Sequence, residues 1–132
     1  MAGGAWRFPT PARLATASLD EVRRIGLPRA RAATVIALAR AVAAGPVDLS
    51  PTAALAPALA ALQRVPGIGP WTAGYLAIRL YRAPDRFLGG DLAARNALGV
   101  TSAAAADAAA QRWSPFRSYA LMHLWRARAA GG

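Results

Sequence analysis

The 132-residue chain has no cysteine, no lysine, one histidine (His123) and six acidic residues. Each shortage removes a class of chemistry. Without cysteine there are no disulfides, thiolate-held metals, iron–sulfur clusters or cysteine nucleophiles. A single histidine leaves no histidine cluster for zinc and argues against a histidine-based triad. Acid–base work is confined to Asp20, Glu21, Asp48, Asp85, Asp91 and Asp107. With only 6 valines and 4 isoleucines, a sheet-rich fold is excluded. No apolar run reaches the ~18 residues of a membrane span. The opening "MAGGAWRFPTPARLA" lacks the basic start and apolar run of a signal peptide, so a cytoplasmic location is expected.

What is abundant is alanine and arginine. The 36 alanines leave 37 larger apolar residues to fill a core, which points to closely packed helices with thin side-chain layers. All 16 basic residues are arginine, and the net charge is +10. Such an excess suits a polyanion, nucleic acid ahead of a membrane surface, because the guanidinium fork matches phosphate. A GC-rich genome would supply both residues as well. At this length one helical domain, residues 1–132, is expected, with residues 1–7 disordered or the start of a fragment.

Eight helical segments can be read from their punctuation. Thr10-Pro11 opens "PARLATA", and Ser18 to Glu21 has capping-box spacing with Gly26 closing the helix. Pro28 starts a longer helix carrying Val35, Leu38, Ala39 and Val42, which Gly45 ends. Pro57 falls in the first turn of the next, and Pro70 begins "WTAGYLAIRLY". Asp91 opens "LAARNAL", Thr101 caps "SAAAADAAAQRW", and "RSYALMHLWRARAA" is last. The apolar residues of that last helix run nearly all the way round, so it is expected to be buried.

Residues 62–75, "LQRVPGIGPWTAGY", carry the most information. Two helices joined by Pro-Gly-Ile-Gly make a helix–hairpin–helix, placed at about 54–81. Gly67 and Gly69 would open backbone angles closed to other residues and bare their amides. Ile68 would pin the loop between the helices. Together with Thr72 in the first turn after Pro70, these amides form a phosphate site that grips a DNA backbone without reading sequence. An ordinary glycine-containing helical turn is the plainer alternative.

"LQRVPGIGPWTAGYLAIRLY", "DRFLGGDLAARNAL" and "RWSPFRSYALMHLW" resemble the 3-methyladenine DNA glycosylase II (AlkA-type) branch of the helix–hairpin–helix DNA glycosylases. "FPTPARLA" and "GLPRARAATVIALA" extend the likeness from about Phe8 to Trp125. The resemblance implies an all-α glycosylase domain, N-terminally truncated relative to the family. It implies a catalytic aspartate at Asp91 and a pocket for a flipped base at Trp71, Tyr75 and Trp125. Electron-rich rings there would stack on a cationic alkylated purine. Asp91 is also a plausible N-cap, and the two roles are compatible because a helix N-terminus favours the anion. Asp85 is the second choice.

Bifunctional relatives place a lysine in the hairpin where Trp71 stands, so a monofunctional, water-using hydrolase without cofactor or metal is expected. Arg95 and Arg117 are candidate phosphate or support contacts, and His123 is read as structural, satisfied by a neighbour. The implied partner is double-stranded DNA with alkylated bases, such as 3-methyladenine or 7-methylguanine, in bacterial base-excision repair at the nucleoid. Family members are longer, with a β-rich N-terminal domain and further helices before the match to Phe8. In the family those helices supply the residue that wedges into the gap left by the flipped base. The resemblance therefore implies a fragment, a mis-assigned start, or a shortened protein that pairs with a missing N-terminal segment or another chain. The alternative function is a non-catalytic DNA-binding hairpin module or an inactive fragment.

Overall fold

A computed structural model describes residues 5–131, and the regular secondary structure among the described residues is all helical. Of the expected disordered stretch, residues 1–4 lie outside the described residues; Ala5, Trp6 and Arg7 form no regular structure and are exposed. Eight α-helices follow in order: α1 Pro11–Ala15, α2 Leu19–Arg23, α3 Arg29–Ala44, α4 Leu55–Gln63, α5 Pro70–Arg79, α6 Leu92–Leu98, α7 Ala103–Ala110 and α8 Arg117–Gly131. One 3-10 turn, Gln111–Trp113, links α7 to the approach of α8. No described helix is long and apolar enough to cross a membrane.

The helix ends form where the sequence punctuates them. Thr10 accepts from the Arg13 amide, and Ser18 and Glu21 close a reciprocal capping box. The Ser18 amide, and then Arg13 nearby, hold the Glu21 carboxyl below its usual range. Gly45 ends α3 in the left-handed conformation. The cap of α7 differs from expectation. Ser102, not Thr101, accepts from the Ala105 amide, because a cap side chain reaches the amide three residues on and the helix starts one residue later.

Two clusters of buried side chains meet on α5. Ala73 and Ala77 face a core built from Leu59 and Leu62 of α4, Val65, Ile68 and Tyr81. Ile78 faces the other, with Leu88, Ala94 of α6 and Leu121 of α8, against which Tyr75 and Trp125 pack. The Tyr81 hydroxyl donates to the Asp48 carbonyl at 2.6 Å and ties down the turn after α3. Alanines let the helices approach closely, as at Ala32, Ala77, Ala94 and Ala106, all fully buried. The last helix corrects an expectation: only Ser118 and Leu121 of α8 are buried, and Tyr119 is 53% exposed. Its apolar residues do run round the helix, but among the described residues nothing covers the outer side.

Candidate functional site at the hairpin and Asp91

The loop between α4 and α5 is held from beneath by Ile68, which is buried in the α4–α5 core. Gly67 has φ +93°, and a Cβ there would overlap the Thr34 side chain of α3, so both backbone angle and space require glycine. Gly69 is different. Its φ of −92° is ordinary and a Cβ would meet open space, so the expectation of a special backbone angle there is corrected. Gly69 instead serves as a cap without a side chain. The amides of Gly67, Gly69, Trp71 and Thr72 find no acceptor among the described residues, and the first bond of α5 runs from the Ala73 amide to the Gly69 carbonyl. The open amides lie at a positive helix end that favours an anion.

Trp71 and Tyr75, one turn apart on α5, stack at 5.2 Å with planes 14° apart. Tyr75 meets Trp125 of α8 at 5.8 Å. The three rings are therefore one continuous row rather than an open cage. Trp71, at its outer end, is 45% exposed. A cleft of about 410 Å³ opens beside it, between the start of α5 and the turn ahead of Asp91, with Trp71, Gly74, Phe87 and Gly90 among its walls. Tyr75 and Trp125 stand behind this cleft rather than lining it.

Asp91 lies at the inner end of the row and caps α6. Its Oδ2 accepts both the Ala94 amide at 2.9 Å and the Trp125 indole N–H at 3.0 Å, while Oδ1 has no partner among the described residues. A carboxylate is thus oriented by two donors on one oxygen and leaves the other available. The preceding glycines divide their roles. At Gly89 a Cβ would collide with the Ala103 carbonyl and the Asp107 carboxylate, so Gly89 allows α7 to pack, whereas Gly90 is exposed and open.

Asp85 is engaged elsewhere. Its carboxylate accepts from Arg117 Nε at 2.7 Å, Nη2 at 3.1 Å and the backbone amide at 3.2 Å, and from the Ser114 hydroxyl at 3.0 Å. The Arg117 bonds hold its carboxyl down to about 2 from an ordinary 3.8. Both Asp85 and Arg117 therefore form a clamp at the base of α8, and the Arg117 fork is spent on it. Arg95 likewise supports the fold, donating from Nη1 to the Thr101 carbonyl at 3.1 Å. His123 corrects the expectation of a satisfied histidine: it is exposed and makes no side-chain hydrogen bond among the described residues. No cluster of three potential metal ligands occurs among the described residues.

The sequence reading missed the Trp125–Asp91 bond, the Asp85–Arg117 clamp and Arg79, whose Nε reaches the Tyr75 hydroxyl at 3.4 Å. The i, i+4 spacing of Tyr75 and Arg79 was a signal for the last.

No protein-family model matches the chain. It is 40% identical over 118 residues to DNA-3-methyladenine glycosylase 2 of Escherichia coli, across 89% of this chain and 42% of that protein. A Mycobacterium tuberculosis protein named as a bifunctional transcriptional activator/DNA repair enzyme AlkA is 37% identical over 105 residues, 76% of this chain and 21% of its own. YfjP of Bacillus subtilis, named as a DNA-3-methyladenine glycosylase, is 29% identical over 93% of this chain and 46% of its own. The chain spans less than half the length of these curated relatives.

Proposed function

Because this chain is a homologue, over part of their length, of the AlkA-type DNA-3-methyladenine glycosylases, we propose that it carries the base-excising site of a monofunctional DNA glycosylase. Asp91 is its catalytic group, and alkylated purines in double-stranded DNA are its substrates. The observation that carries this reading is the Asp91 carboxylate, oriented through Oδ2 by Ala94 and Trp125 at the end of a three-ring aromatic row.

The hairpin amides hold a phosphate, and a flipped base stacks on the exposed face of Trp71 in the cleft beside Gly90. An N-alkylated purine is cationic, so the electron-rich ring attracts it. The same charge makes it a good leaving group. When the N-glycosidic bond breaks, its electron pair neutralises the base, and no general acid is needed. Positive charge then develops on the sugar, where the Asp91 anion stabilises it. Water attacks the sugar carbon opened by the departing base and passes its proton to the free Oδ1 of Asp91. With no lysine in the sequence, no lysine Schiff base competes with that water.

The unbonded amides around Gly67 favour a second reading, a module that only grips DNA. Asp91→Asn separates the two. The variant should fold within about 1 kcal/mol of wild type and bind DNA, while release of methylated purines falls by about 100-fold or more. Equal release from both proteins would remove Asp91 from the chemistry.

A further inference from the structure

A second groove, of about 450 Å³, lies between α5 and α8 and is walled by Arg79, Tyr119, Met122, His123, Trp125 and Arg126. Arg79, His123 and Arg126 are all exposed, and no carboxylate lines the groove. The ion pairs among the described residues are Arg13–Glu21 and Arg117–Asp85, so neither groove arginine has an acidic partner. Arg79 is steered by Tyr75, with its Nε 3.4 Å from the hydroxyl and its guanidinium 5.8 Å from the ring centre. Two fixed positive charges facing one groove repel each other, and an anion between them removes that cost. One wall, Trp125, is the indole that holds Asp91, so the groove adjoins the aromatic row.

We propose that this groove is a second phosphate-binding site, holding the polynucleotide backbone at the opposite end of α5 from the hairpin. It rests on the DNA reading above and adds a contact to it. Guanidinium forks bind phosphate oxygens in pairs, and the Tyr119 and Trp125 rings offer faces for a base or sugar. The spacing suits one strand. The hairpin amides open α5 and Arg79 is its last residue. The two ends are ~13 Å apart at 1.5 Å per residue, so the hairpin and the groove would meet different phosphates of the backbone. The aromatic row leaves α5 between them, at Trp71 and Tyr75. A polynucleotide is favoured over an acidic polypeptide because the same helix presents open amides for phosphate and an exposed indole for a base.

The test is the salt dependence of binding to a short duplex carrying one tetrahydrofuran abasic site. For Arg79→Ala/Arg126→Ala, the slope of log affinity against log salt should fall in magnitude by about 2 from wild type. Circular dichroism should be unchanged. Arg23→Ala/Arg24→Ala, which removes two exposed arginines at the end of α2, should keep the wild-type slope. An unchanged slope in the groove variant, or an equal fall in the α2 variant, would overturn the proposal while leaving the DNA reading intact. Binding of polyglutamate by wild type but not by the groove variant, with DNA slopes equal, would assign the groove to an acidic polypeptide and overturn it too. No salt-sensitive DNA binding by wild type would remove both readings together.

Discussion

Asp85 and Asp91 are six residues apart, and their surroundings give them different work. Asp85 is saturated by Arg117 and Ser114 and fixes the start of α8. Its folded carboxyl titrates near 2 rather than at the ordinary 3.8. A depressed value means a contribution to stability that is present above the ordinary value and lost as pH falls through the folded one. Thermal unfolding followed from neutral pH downward should therefore show Asp85→Asn less stable at pH 7. The gap should close between pH 4 and the folded value of about 2; a gap constant with pH would contradict the clamp. Asp91 keeps one oxygen free, and the other depends on Trp125. Trp125→Phe keeps an aromatic ring but removes the donor. A hydrogen bond to a charged group is worth about 1.5–3 kcal/mol, so base release should fall roughly 10- to 100-fold with little change in DNA affinity. An unaltered single-turnover rate would show that the indole N–H orients nothing.

At the scale of the element, the hairpin shows what glycine does at two neighbouring positions. Gly67→Ala meets both a left-handed backbone and the Thr34 side chain, so it should destabilise the protein by about 1–3 kcal/mol and weaken DNA binding. Gly69→Ala meets neither obstacle, and denaturant unfolding should show it within about 1 kcal/mol of wild type. The motif was legible in the sequence because Pro-Gly-Ile-Gly-Pro punctuates so strongly, but the difference between its glycines was not. That difference depends on α3, more than thirty residues away in the chain. Helix starts were legible for the same local reason, and the shift from Thr101 to Ser102 shows the limit where two capping residues adjoin. Periodicity placed Trp71 and Tyr75 on one face of α5. It could not place Trp125 against Asp91, because that bond joins two helices across 34 residues.

Across the whole molecule, α5 is where the organisation converges. One side closes the α4–α5 core, another meets α6 and α8, its first turn opens the hairpin amides and its last turn carries Arg79. Composition announced helices packed through alanine, and the fully buried Ala32, Ala77, Ala94 and Ala106 are that packing. The exposure of α8 was not legible, since a helix apolar on all sides does not reveal which side lacks a neighbour. In the proposed function, this assembly places a carboxylate to cut the bond between sugar and alkylated base. The most direct test is chromatographic measurement of free methylated purines released from methylated duplex DNA, with Asp91→Asn in parallel. Release by wild type that falls at least about 100-fold in the variant is the expected result. Soluble, helical wild-type protein that binds this DNA yet releases no base would contradict it.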